Sequence, residues 1–291
     1  MGKDRGKRIA YLVKEACIRE AYAPKPGNVN RNHGFSDTTL EDFLRSAVVI
    51  GPAFENAAHV CVGQTVWQAV MDCRRCVQSN TNLGIILLLA PLVKASLAAA
   101  ENSGSGHFAG ADSTRQNLHA VLQSLTVEDA QLVYNAIRAV NPGGLGEVAQ
   151  QDIAEEPSVT LLAAMRLAKE RDSIASEYVT DFEITYGIGL PALKEALSKG
   201  IGFSDAVVQA FLTILSRVPD TLIIRKNGVE ISRRISNRAE EVLLRGGIYT
   251  TEGRIQIQEL DRSLRDDSHK LNPGTTADLT TATIFLALLD A

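Results

Sequence analysis

Leu83-Gly84-Ile85-Ile86-Leu87-Leu88-Leu89-Ala90, continued by Pro91-Leu92-Val93-Lys94 to an alanine-rich end at Ala100, is the stretch on which the fold turns. Apolar residues point in every direction around a helix built from it. Such a helix has no side to give to water and belongs at the centre of a helical protein. Its length would reach across a bilayer, but Pro91 and Lys94 interrupt it and no aromatic belts flank it. A core helix is therefore expected, and no membrane.

Working outward, the other segments repeat a helical period. Ile9, Leu12, Val13, Ala16 and Cys17 share one face of a helix from Arg5 to Ala21. Thr38 and Glu41 stand in the capping-box relation ahead of Leu40, Phe43, Leu44, Ala47 and Ile50. Val127, Ala130, Val133, Tyr134 and Ile137 line another helix. Ser204 is placed to cap one carrying Val207, Val208, Phe211, Leu212 and Leu215, which Pro219 stops. Only Asp220 to Gly228, with its Leu222-Ile223-Ile224 run, has the composition of a short strand. The expected fold is all-α, a single multi-helix domain over 1–291 around the central apolar helix.

Charge and cysteine usage narrow the partners. A formal net charge of −4 gives no basic field, so a nucleic-acid partner is not expected, whereas local cations can still hold a small anion. Cys17, Cys61, Cys73 and Cys76 all fall in helical segments with no signal peptide ahead of them, which suits a reducing cytoplasm. Cys73 and Cys76 have CxxC spacing but no second pair, so structural cysteines are the preferred reading. So much apolar helix surface is compatible with a homodimer.

The polar loops carry the chemistry. In Pro24-Lys25-Pro26-Gly27-Asn28-Val29-Asn30-Arg31 the two prolines fix φ, and Pro26-Gly27 fits the centre of a type II turn. A stiff loop presenting Lys25, Asn28, Asn30 and Arg31 suits phosphate oxygens, and Lys25→Ala is expected to weaken binding of such an anion with the fold intact. The bland alternative is a solvated surface turn. Asn80, Thr81 and Asn82 precede the apolar helix, as N-cap or as an anion site. Gly143, Gly144 and Gly146 follow a helix end without a Walker lysine, and Glu147 stands beside them as a candidate metal or base carboxylate. Asp220-Thr221 leads into Arg225-Lys226. Asn272-Pro273-Gly274-Thr275-Thr276-Ala277-Asp278 opens the last helix with hydroxyls and N–H groups pointing one way.

Taken in order, these segments resemble the triphosphoribosyl-dephospho-CoA synthase family over essentially the whole chain. The resemblance implies an all-helical transferase that takes ATP, expels adenine, and joins the triphosphoribosyl group to the ribose 2′-hydroxyl of dephospho-CoA. On that basis Lys25, Gly27, Asn28, Arg31, Asn80, Thr81, Asn82, Gly143, Gly144, Arg225, Lys226, Thr275 and Thr276 are assigned to ATP. Glu147, Asp220 and Asp278 are the candidate catalytic carboxylates, with Glu147 and Asp220 also offered to Mg²⁺. Family members carry His-Lys where this chain has Asn82-Leu83, which keeps open a related cofactor precursor as acceptor. A helical nucleotide-binding protein without turnover and a ribosyl hydrolase without acceptor are the other readings.

Overall fold

The computed structural model describes residues 2–35, 38–77, 82–102, 110–140, 151–265 and 269–290. Helices make up the described chain: α1 (Gly2–Tyr22), α2 (Leu40–Val49), α3 (Gly51–Glu55), α4 (Val62–Cys76), α5 (Leu83–Asn102), α6 (Ala111–Gln123), α7 (Val127–Val140), α8 (Leu161–Ala168) and α9 (Ser173–Val179) come first. A π-helical turn at Thr185–Gly189 leads into α10 (Leu190–Ser198), α11 (Phe203–Arg217), α12 (Thr221–Asn227), α13 (Val229–Leu244), α14 (Thr251–Leu264) and α15 (Gly274–Leu289). No strand occurs among the described residues, where an isolated antiparallel bridge joins Asn30 and His33. The fold is all-α.

The chain forms two compact units, the first from Met1–Ile18, Glu41–Phe182 and Phe285–Ala291, the second from Arg19–Leu40 and Glu183–Ile284. In the first unit α5 packs against α4, α6 and α9, as its all-round apolar surface requires. Ile86, Leu88, Leu89, Leu92 and Val93 are buried, each contributing about 1.5–3 kcal/mol. By length and composition Leu83–Glu101 could span a membrane, but 78% of its most apolar window is buried in protein. Lys94 breaks the run for a local reason. Its ammonium donates to the carbonyls of Ala57, Ala58 and Val60 at 3.0, 3.1 and 2.8 Å, satisfying the chain that leaves α3. Tyr178 donates its hydroxyl to the Leu87 carbonyl at 2.6 Å.

In the second unit α11 is the core helix, with Val207, Val208, Phe211, Leu212, Ile214 and Leu215 buried and with α10 and α13 against it. Its N-cap is Gly202, two residues before the expected Ser204, which is exposed inside the first turn. The strand expected at 220–228 is instead α12. Asp220 caps it, accepting from Ile223 N at 3.0 Å. With no neighbouring strand to pair, that cap outweighs the β-preference of Leu222-Ile223-Ile224.

Candidate active site

Lys25 faces the protein interior. Between Pro24 and Gly27 the backbone forms the turn that the sequence calls for: Gly27 has φ +75°, and Asn28 N donates to the Lys25 carbonyl at 3.2 Å. That turn sends the Lys25 side chain inward, where it is fully buried. Its ammonium meets the Glu20 carboxylate at 2.9 Å and donates to the carbonyls of Glu20 and of Ala23, the latter at 3.1 Å. The expectation of a phosphate-facing lysine, removable without harm, is thereby corrected. Losing one partner of a buried ion pair leaves the other uncompensated and costs about 3–5 kcal/mol.

The loop amides are also spent internally. Asn28 Nδ2 donates to the Pro26 carbonyl and Asn30 Nδ2 to the Asn28 carbonyl, both at 3.2 Å. Asn30 Oδ1 accepts from Asn32 N at 2.9 Å, and both Asn28 and Asn30 are buried. Arg31 is the exposed member of the set.

Asp261 of α14 and Arg265, the residue that caps that helix, fasten this turn. Asp261 Oδ1 accepts from Gly27 N at 2.8 Å. Arg265 forks onto Asp261 at 2.8 and 2.7 Å and donates to the Asn28 carbonyl at 3.0 Å. Gly27 is required for space as well as for φ, because a Cβ there would lie 2.9 Å from Leu264 Cβ and 3.0 Å from Pro273 Cδ. The turn is thus seated against the chain that opens α15.

That opening is held from α12. Asp220 is buried, and its Oδ2 accepts from Thr276 N at 2.7 Å and Thr276 Oγ1 at 2.8 Å while its Oδ1 caps α12. Burial pushes its pKa up from the usual aspartate value, and the bonds from Thr276 and Ile223 with the Arg225 charge pull it back. Thr221 Oγ1 donates to Thr275 Oγ1 at 3.2 Å, and Ser232 Oγ to the Asp220 carbonyl at 3.0 Å. Thr275 and Thr276 are both buried with their hydroxyls engaged. On α12, Arg225 is half-buried and Lys226 exposed, the latter reaching the His269 carbonyl at 3.3 Å. Asp278 is half-buried on α15.

The structure therefore brings Gly27, Asp261, Pro273, Thr275, Thr276, Asp220 and Thr221 into one connected support. Sequence reading did not single out Glu20 or Arg265 as parts of it. Asp261 and Arg265 carry the signal of an i,i+4 pair, and Glu20 that of an acid on the last turn before the lysine. Asn82 belongs to the first unit, buried at the head of α5, with its Nδ2 lacking a hydrogen-bond partner among the described residues. Asn80, Thr81, Gly143, Gly144 and Glu147 lie outside the described residues. No group of three or more His, Cys, Asp or Glu among the described residues could hold a metal ion. Asp220, with both oxygens taken by protein donors, does not fit the magnesium expected of it, and no step below is routed through a metal.

These features define an all-helical protein whose polar motifs build a rigid support at helix starts, outside the α/β nucleotide-binding architectures. Comparison with known proteins then gives the family. The family model for ATP:dephospho-CoA triphosphoribosyl transferase (CitG) matches residues 6–291, and the chain belongs to this family of transferases. A Pseudomonas fluorescens protein named a probable 2-(5′′-triphosphoribosyl)-3′-dephosphocoenzyme-A synthase is 27% identical, over 98% of this chain and 92% of its own length. A Pseudomonas putida protein of the same name is 26% identical over 96% and 93%. A crystal structure from Archaeoglobus fulgidus, titled as that of a "putative triphosphoribosyl-dephospho-coA synthase", superposes with a TM-score of 0.63 at 32% identity, covering 85% of this chain and 99% of that one.

Proposed function

We propose that the chain, acting as one catalytic domain in the cytoplasm, transfers the triphosphoribosyl group of ATP to the ribose 2′-hydroxyl of dephospho-CoA and releases adenine. The observation that carries this is the joining of three separated segments, 24–30, 220–221 and 273–276, into one support within a chain matched to the family over 6–291. At the anomeric carbon of ATP the bond to the adenine nitrogen breaks with its electron pair leaving on adenine. The acceptor oxygen forms the new bond through an oxocarbenium-like state. The hydroxyl proton goes to a carboxylate, and adenine gains a proton on its ring.

Asp278 is our choice for the base. It sits half-buried, two residues beyond the threonine that Asp220 holds, so its helix start is fixed before substrate arrives. Arg31, Arg225 and Lys226 are the expected triphosphate ligands whose side chains are not fully buried, while Lys25, Asn28, Thr275 and Thr276 serve as their support. Asn80, Thr81, Gly143, Gly144 and Glu147 keep their assignments from the resemblance. Free cysteines throughout the described chain suit the cytoplasm.

The test is chromatography with mass spectrometry of ATP incubations with and without dephospho-CoA. Adenine formed only with dephospho-CoA, together with a triphosphoribosylated product, is expected. Adenine formed without acceptor would make the chain a hydrolase. Asp278→Asn is expected to bind ATP yet slow adenine release at least a hundredfold, about the low end for a general base, and a wild-type rate would remove Asp278 from that role.

A further inference from the structure

Beside the Pro24 turn, within the second unit, lies a cleft of about 490 Å³ that no step above uses. Arg254, Gln258, Asp261 and Arg262 line it from one stripe of α14, at spacings that keep them on a single helix face, and Arg265 joins them from the helix's C-cap. Opposite in character are Val208, Ile248 and Ile257, which give the same cleft an apolar wall. Arg254 is paired with Asp205 at 2.7 Å and Arg265 with Asp261, so two of the three guanidinium groups are already oriented. Arg262 is exposed and has no ion-pair partner among the described residues.

Resting on the transfer proposed above, we infer that this cleft is the acceptor subsite and takes the diphosphate diester of dephospho-CoA, with the branched end of its pantetheine arm against the apolar wall. Charge decides between the two substrates. Among the described lining residues three arginines stand against two aspartates, Asp205 and Asp261, an excess of one positive charge over the carboxylates. The triphosphate of ATP brings about four negative charges and would be poorly matched. A diphosphate diester brings two and has an organic group at each end, which is what a cleft half cationic and half apolar can hold. Arg262 supplies the direct contact, with Arg254 beside it. Arg265 is committed to Asp261 and the Asn28 carbonyl, so its part is to hold the wall next to the turn.

The experiment is calorimetric titration of the full chain with dephospho-CoA, run alongside KM values for ATP and for dephospho-CoA. Arg262→Ala is expected to weaken dephospho-CoA binding about tenfold, the usual loss for one charged hydrogen bond, and Arg262→Glu further. KM for ATP should stay within about twofold, and Arg262→Lys should recover part of the loss. Circular dichroism confirms that the variants fold, as expected for an exposed side chain. A raised KM for ATP with unchanged acceptor affinity would overturn the inference, as would no change in either substrate. A wild-type chain that binds dephospho-CoA through Arg262 but releases no adenine would overturn the transfer and leave the cleft assignment standing. One that triphosphoribosylates dephospho-CoA with an acceptor affinity that Arg262→Ala leaves unchanged would do the reverse, and one that releases adenine without binding dephospho-CoA would overturn both.

Discussion

Asp129 in the first unit and Asp220 in the second are both buried and take the same kind of donors. Asp129 accepts from Gly63 N at 2.7 Å and from Thr126 N and Oγ1, both at 2.8 Å. Asp220 accepts from Ile223 N, Thr276 N and Thr276 Oγ1 at 3.0, 2.7 and 2.8 Å. In each case two N–H groups and a threonine hydroxyl replace water around the carboxylate. Asp129 uses them to join α7 to the start of α4, at a point so close that a Cβ on Gly63 would lie 2.6 Å from Asp129 Cα. Asp220 uses them to join α12 to the start of α15, the helix that carries Asp278. The same joint is a core fitting in one unit and, under the proposed function, the seat of the site in the other. On that proposal a polar motif marks a site without its side chains touching substrate.

The largest effects should come from removing each joint. Asp220→Ala strands two buried N–H groups and Asp129→Ala one, the Thr126 N–H lying on an exposed residue, so urea unfolding should show a loss of about 4 kcal/mol for the first and about 2 kcal/mol for the second. Kinetics on the folded fraction should separate them. Asp220→Ala is expected to lower the rate of adenine release about a hundredfold by misplacing the start of α15, and Asp129→Ala to leave it near wild type. Equal rates would break the distinction. Gly27→Ala should cost about 1–3 kcal/mol, combining a left-handed φ with a clash at Leu264, and a thermal shift below a degree would contradict the seating of the turn.

The smallest effect is in pH. A carboxyl whose folded pKa is raised binds protons more readily in the folded state, so its contribution to stability is present at low pH and is lost as pH rises through the folded pKa. The stability of wild type relative to Asp220→Asn should therefore decline as pH is raised from below the ordinary aspartate value of 3.8 toward neutrality. A difference that grows instead would mean that the three donors outweigh burial.

Much of this was legible in the residues. The all-round apolar run at Leu83 marks a core helix, and Pro26-Gly27 marks its turn, because both depend on local sterics and pattern. The direction of a side chain at that turn is another matter. Lys25 points inward because Glu20 and two carbonyls receive it there, and that is settled by packing rather than by the loop's own composition. The apolar run at 222–224, with β-branched Ile223 and Ile224, misled for a related reason: its propensity counts only where a neighbouring strand exists to pair with it. The fastening of Gly27 by Asp261 bridges residues far apart in sequence, and no local pattern shows it.

The most direct test of a support built from buried motif side chains is Lys25→Ala, followed by urea unfolding and by ATP titration of the folded protein. The account predicts a loss of about 3 kcal/mol or more from the orphaned Glu20, with much of it regained in Glu20→Gln/Lys25→Met. Unchanged stability with weakened ATP binding would instead place the Lys25 ammonium on the triphosphate and contradict the account.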